Sequence, residues 1–372
     1  MPDAIAFVWE NFGPTHADRC EAVAVRFAGK RAVIGIELAG KSHTYDWQPE
    51  ARAGFAKRTL FPATTIDGVG WLTRATRTVR ACLAARDIFF CHYEHKATFL
   101  AALVLRAAGR RVYVMSDSKF DDKPRVFWRE RAKRVLNLPY LGGIAAGARS
   151  KEYMRMLGVP AGRIFGFYDN ISVARIRRLA KAPPAPEGAP FETRHFTIVA
   201  RLVPKKNLLT AIASFALYCK AVPSPRPLIV VGSGPMEAEI RARIAELGLQ
   251  ERVRLAGFLE SEGVCEILSL TLALLMPSTE EQFGIAALEA IAMGVPVIVS
   301  ENCGVRDCFV REGVNGFVVE ATDAACIASL LALMGSDEAR WRAMAASCAD
   351  FANDGDAARF AESVEALVGA AA

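Results

Sequence analysis

Two successions of short, uninterrupted apolar runs limit what this chain can fold into. In the first half they read Ala4–Val8, Ala32–Leu38, Ile88–Cys91, Val112–Met115, Gly143–Ala146 and Ile164–Phe167. In the second half they read Phe196–Ala200, Leu228–Gly232, Val253–Ala256, Ala273–Met276, Val297–Val299 and Gly316–Val319. Rich in β-branched residues and lacking polar alternation, such runs suit strands covered on both faces. Helical stretches lie between them, notably Leu72–Ala85, Thr98–Ala108, Leu208–Lys220, Pro235–Leu247, Ile285–Met293 and Ala324–Met334. This alternation predicts an α/β protein with two parallel, doubly wound, Rossmann-like sheets. Ligands of such sheets bind beyond the carboxyl ends of the strands, so the loops leaving those ends are where chemistry is sought.

At 372 residues the chain exceeds one ordinary core. Four prolines within Lys181–Pro190 mark a connector. The expected domains are 1–182 and 191–355, with a final helical segment, 356–372, placed to pack back on the first domain. A composition of 52% apolar and 23% charged residues, without a membrane-spanning apolar run, is that of a soluble protein. No basic stretch precedes Ala4–Val8, so a cytoplasmic location is expected. Nine cysteines without a C-x-x-C spacing argue for a reducing compartment and against disulfides or zinc.

Charge is divided unevenly. Residues 1–185 hold 31 Lys and Arg against 16 Asp and Glu, a net of +15; residues 186–372 hold 15 against 24, a net of −9. A basic half seeks an anionic surface, either lipid headgroups or nucleic acid. With no zinc spacing or RNP-like motif, nucleic acid is the weaker of these readings.

Four strand exits in the second half carry polar chemistry. The first leads into Arg201-Leu202-Val203-Pro204-Lys205-Lys206-Asn207, with cations suited to a diphosphate. The second gives Gly232-Ser233-Gly234-Pro235, whose glycines permit a tight turn and close approach of a ligand. The third ends at Gly257-Phe258. The fourth leads through Glu281 into Phe283-Gly284-Ile285 and a helix that carries Glu289. Backbone N–H groups and the helix dipole favour an anion there, and a buried core helix needs neither acid. Each motif alone is modest, and a basic loop or glycine turn is commonly a plain surface turn. Their order along one sheet edge is what carries weight.

With these residues in place, the second half resembles the donor-binding domain of the GT-B glycosyltransferases, specifically the large retaining family four, the glycosyl transferases group 1. The resemblance implies a GT-B fold, two Rossmann-like domains facing an interdomain cleft. It implies that Arg201 and Lys206 hold the nucleotide diphosphate, Gly232 and Gly234 form the G-x-G-P turn, and Gly257 and Phe258 lie beside the nucleobase. Glu281 and Glu289 match the E-x7-E pair, the first contacting the donor sugar and the second the ribose hydroxyls. Phe283, Gly284 and Ile285 would supply backbone N–H groups to phosphate and sugar. Ala200 and Asn207 depart from the pattern where glycine is common, and Gln282 where a small residue or proline is usual.

The first half resembles the family more loosely. Gly13, in Asn11-Phe12-Gly13-Pro14-Thr15-His16, matches its glycine-containing loop, with Thr15 and His16 weaker matches. His92, at the exit of Ile88–Cys91, matches a histidine that contacts the donor sugar region, and fits better than His95. The implied reaction is retaining, metal-independent hexosyl transfer from a UDP- or GDP-sugar to a glycan or lipid-linked acceptor of cell-surface polysaccharide or glycolipid synthesis. No cofactor and no divalent metal are expected.

A stretch from Lys119 to Leu136 is basic with interleaved aromatics. Read as one helix from Pro124, it presents Lys123, Arg125, Trp128, Arg129, Arg131, Lys133 and Arg134 to an anionic membrane. That makes the expected location peripheral on the inner face of the plasma membrane. A solvated face or an acceptor groove are the other readings of this stretch. Competing functions are a GT-B-fold sugar-nucleotide epimerase, disfavoured because no histidine stands at a second-half strand exit, and a non-catalytic membrane-associated scaffold.

Overall fold

The computed structural model describes residues 3–42 and 53–369. The chain forms two compact units. One runs to Ser172 and takes up the segment from Ala357 onward; the other is Val173–Asp356.

The first unit is a seven-stranded parallel sheet in the order β3-β2-β1-β4-β5-β6-β7. Its strands are β1 (Ala4–Trp9), β2 (Val33–Ala39), β3 (Ala56–Phe61), β4 (Ala85–Phe90), β5 (Arg111–Ser116), β6 (Gly143–Ala145) and β7 (Ile164–Phe165). All six expected strands are present. Strand β3 was not foreseen, because Lys57 and Arg58 interrupt its apolar character. It is the sheet edge, where charge is tolerated and discourages further pairing. Every residue of β1 is buried. Phe7 stacks on Phe89 at 5.0 Å and meets Phe360 at 5.6 Å. Phe360 belongs to the C-terminal helix Ala357–Gly369, which packs on the helix Pro14–Arg26. The chain's last helix is thus part of the first unit's core. At the amino edge of this sheet the fully buried Asp87 accepts from Arg31 (2.6 Å), twice from Arg111 (2.7 Å each) and from the Tyr113 hydroxyl (3.1 Å).

The second unit is a six-stranded parallel sheet in the order β10-β9-β8-β11-β12-β13. Its strands are β8 (His195–Val199), β9 (Leu228–Val231), β10 (Val253–Gly257), β11 (Thr271–Met276), β12 (Val297–Ser300) and β13 (Gly316–Val319). The proline-rich stretch expected as a connector lies within this unit. The buried Arg194 guanidinium donates to the carbonyls of Glu187, Ala189, Ser269 and Thr271, binding the stretch to the start of β11. Ala185 N–H donates to Met293 O at 2.8 Å, and a Cβ on Gly294 would stand 2.1 Å from Ala185 O. Proline content marks where the chain cannot continue a helix, not where contacts cease. The chain passes between its units near 172/173 and again near 356/357.

The basic stretch does not form the expected single helix. Two short helices, Phe127–Ala132 and Arg134–Asn137, meet at Lys133. Arg125 turns inward: it donates to Phe120 O (2.9 Å), Lys119 O (2.8 Å) and the Tyr153 hydroxyl (2.6 Å) and faces Glu130. It is therefore a structural residue and no part of a surface for lipid. Lys123, Trp128, Arg129, Arg131 and Arg134 are exposed, and Lys133, half-buried, pairs with Glu130 at 2.9 Å. Among the described residues no helix is long and apolar enough to cross a membrane.

Candidate functional site

In the second sheet the strand order reverses between β8 and β11. In open parallel sheets this reversal opens the crevice where ligands bind. The loops leaving those two strands carry the cations and the acids singled out above.

Beyond β8 the chain runs through Arg201, exposed, into the turn Pro204–Lys206 and then Asn207. Asn207 adopts φ 56°, ψ 39°, a left-handed conformation that Asn tolerates and glycine fits without cost. Its side-chain amide donates to Pro277 O (3.0 Å) and Ala321 O (2.7 Å), fixing this loop to the exits of β11 and β13. The departure from glycine is thereby explained: asparagine keeps the required backbone and adds two hydrogen bonds. Lys205 O accepts from Thr279 N–H at 2.9 Å, a second tie between the loops.

The tie that bears on chemistry joins Lys206 to Glu281. The ammonium is ion-paired with Oε2 of the carboxylate, which also accepts from the Ser278 hydroxyl at 3.3 Å. Alongside, Lys205 meets Glu280 at 3.4 Å. Of the duplicated glutamates, Glu281 is the sheltered one and Glu280 the more open. Beneath Glu281, burial first and then its charge push the Cys303 thiol up to about 12, so it stays protonated.

Gly284 caps the helix Ile285–Ala292 at φ 107°, a conformation open to glycine. Phe283 is buried against Phe309 at 6.0 Å, so only its backbone is available to a ligand. Glu289, half-buried, lies in the second turn of that helix.

The glycine turn performs a backbone task. A Cβ on Gly232 would stand 1.9 Å from Ala200 O, and one on Gly234 2.6 Å from Leu202 O. The turn consequently lies flat on the Arg201 loop, with Leu202 N–H donating to Ser233 O at 2.9 Å. Gly257 (φ 73°) ends β10 with open space where a Cβ would be, and the Phe258 ring beside it is 44% exposed. Sequence reasoning passed over Asn207 as a clamp and Ser300, whose hydroxyl donates to Ser278 O at 2.5 Å. Only polar side chains at strand exits could have hinted at either.

The first sheet has its own reversal, between β1 and β4. Gly13 follows β1 with extended backbone and caps the helix Pro14–Arg26, and its N–H donates to His16 Nδ1 at 2.9 Å. Burial, then Arg19, His92 and Lys57, hold His16 well below the usual histidine range, so it is neutral and carries its proton on Nε2. Thr15 is buried. His92 follows β4 at φ 54°, a strained region for a non-glycine residue that is common at functional positions. The neighbouring Cys91 sulfur above all, with Glu94 and Glu10, pushes its imidazolium up to about 10 against the opposing effect of burial. His92 and His95 stack at 5.4 Å, and burial followed by the His92 charge lowers His95.

Two parallel-sheet Rossmann-like units define a GT-B fold. Over 100% of both chains the protein superposes on sucrose-phosphate synthase from Thermosynechococcus elongatus, with a TM-score of 0.74 and 19% identity. It likewise matches Anabaena Alr3699/HepE, crystallised with UDP and glucose, at a TM-score of 0.73 and 17% identity over 99% of this chain and 100% of that one. Residues 184–352 match the family described as glycosyl transferases group 1. The amylovoran biosynthesis glycosyltransferase AmsK of Erwinia amylovora is 31% identical over 147 residues, 38% of this chain and 36% of that protein. The match therefore spans about a third of that relative's length.

Proposed function

We propose that the protein transfers a sugar from a nucleoside diphosphate sugar to a glycan or lipid-linked acceptor of polysaccharide or glycolipid synthesis. The observation that carries this reading is the Lys206–Glu281 pair at the reversal point of the sheet within the group 1 match. A diphosphate brings the negative charge that draws Lys206 away from Glu281, and the released carboxylate is then available to sugar hydroxyls. Arg201, Lys206 and the N–H groups of Gly284 and Ile285 stabilise charge that grows on the departing phosphate. Glu289 takes the ribose, and the exposed Phe258 ring, over Gly257, takes the base. His92 and Gly13 are assigned to the sugar by resemblance to the family.

The donor is UDP- or GDP-linked, and HepE's complex with UDP and glucose favours UDP first. Transfer is retaining and needs no divalent metal: cations of the loop take that part, and the departing phosphate accepts the acceptor's proton. The relative's role in amylovoran biosynthesis supports a polysaccharide acceptor.

The protein works in the cytoplasm, docked on anionic lipid. Val126, Phe127, Trp128, Val135 and Leu138 are exposed large apolar side chains interleaved with exposed Arg129, Arg131 and Arg134, the composition of an interfacial surface. Isothermal titration with UDP and GDP, followed by sugar release from a panel of their sugar conjugates, tests the transferase reading. If neither nucleotide binds and no donor is consumed, it fails.

A further inference from the structure

The exit of β4 gathers donors that the transfer reaction does not use together. β4 ends at Phe90, and the chain doubles back at His92, whose left-handed backbone lets His95 N–H donate to His92 O at 3.1 Å. This turn brings one imidazole nitrogen of His92, one of His95 and a carboxylate oxygen of Glu94 within 4.8 Å of one another. Tetrahedral zinc, with bonds of about 2.0–2.2 Å to such atoms, holds its ligands roughly 3.4 Å apart, so a modest side-chain rotation closes the trio.

A metal ion there would displace the proton that the His92 imidazole otherwise holds. The Tyr140 hydroxyl, near Glu94, is buried without a hydrogen-bond partner among the described residues. An unsatisfied buried hydroxyl beside a donor cluster suits the outer shell of a metal site.

We propose that His92, Glu94 and His95 bind one zinc-class divalent cation, leaving an open fourth position. Two imidazoles and one carboxylate match zinc rather than magnesium or calcium, which take oxygen ligands. The cysteine spacing that argued against zinc is silent on a site built from histidines. Under the reading above, zinc withholds the His92 imidazole from the sugar, and the site is inhibitory.

Titration of the full chain with zinc chloride, read by calorimetry, needs no transferase activity, so its failure and the failure of that reading are told apart. The expected result is one zinc per chain. His95→Ala should weaken affinity by on the order of 100-fold and Glu94→Gln by about 10-fold, scaled from the cost of disturbing metal shells. Cys326→Ser, which removes an exposed thiol, should leave binding unchanged. Metal-free melting curves establish that each variant is folded, and His95→Gln replaces His95→Ala where that variant is not. An absence of zinc binding by the natural chain overturns the proposal. So does undiminished affinity in both His95 variants, or loss of binding in Cys326→Ser.

Discussion

Lys206 and Glu281 join the exits of β8 and β11, the two strands at which the strand order of the second sheet reverses, through an ion pair whose side chains are 15% and 13% exposed. Removing either partner strands a sheltered charge, whereas removing both does not. Lys206→Met and Glu281→Gln should each cost roughly 1–3 kcal/mol in urea unfolding, and the double variant less than their sum. Their effects on nucleotide should be opposite in sign. Glu281→Gln frees the ammonium and should tighten binding of plain UDP or GDP while lowering sugar transfer about 100-fold; Lys206→Met should weaken both. Equal changes of nucleotide affinity in the two variants would remove the competition on which the proposed mechanism rests.

Asn207 holds a left-handed backbone and two carbonyls at once. Asn207→Ala keeps neither and should destabilise by about 2–4 kcal/mol, adding roughly 1–2 of backbone strain to two lost hydrogen bonds. Asn207→Gly relieves the strain but not the lost bonds, and should fall between. Denaturant midpoints of the three proteins give the order, and a glycine variant as unstable as alanine would show that φ is not the issue.

How far the sequence disclosed this follows from what each feature depends on. Twelve strands were legible because burial on both faces leaves an uninterrupted apolar run, and β3 was not because an edge strand has no such need. The glycine turn leaving β9 was legible as a motif, since backbone approach demands glycine at 232 and 234. The direct pairing of Lys206 with Glu281 spans 75 positions and is visible only once β8 and β11 are neighbours. The limit between the first and second units failed for a related reason. Arg194 reaches across to Ser269 and Thr271, and no local property of Lys181–Pro190 announces that it is gripped from afar. Arg125, counted among surface cations by its neighbours in sequence, is turned inward by Glu130 and Tyr153.

That last residue separates two kinds of basic side chain. Replacing Arg129, Arg131 and Arg134 together by alanine should weaken co-sedimentation with phosphatidylserine vesicles by on the order of 100-fold, at about 1 kcal/mol for each cation. The effect should shrink in high salt. Trp128→Ala, removing a ring from a residue 76% exposed, should weaken it further with no change in melting temperature. Arg125→Ala should instead lower the melting temperature. Vesicle binding that survives the triple substitution would leave the apolar residues alone to account for docking, and the electrostatic part of the reading would fall.

His195 begins β8, buried, its Nδ1 within 3.0 Å of the Thr197 hydroxyl. Burial first, then Arg254 and Arg194, lower its imidazole to about 4, against the opposing pull of the Phe196 carbonyl. An unfolded histidine titrates near 6.5. Between those values the unfolded chain binds a proton that the native chain refuses, so stability rises with pH across the window. The contribution is whole above about 6.5 and is lost progressively as pH falls toward 4, by about 3 kcal/mol in all. Carboxylates also titrate in this range, so the informative quantity is the difference between the natural protein and His195→Asn, which has no proton to gain. Urea unfolding at intervals from pH 7.5 to 4.5 should show the natural protein losing stability faster than the variant as acid is added. A difference that does not change with pH would mean that His195 is protonated in both states or in neither, and the neutral buried imidazole would have to be abandoned.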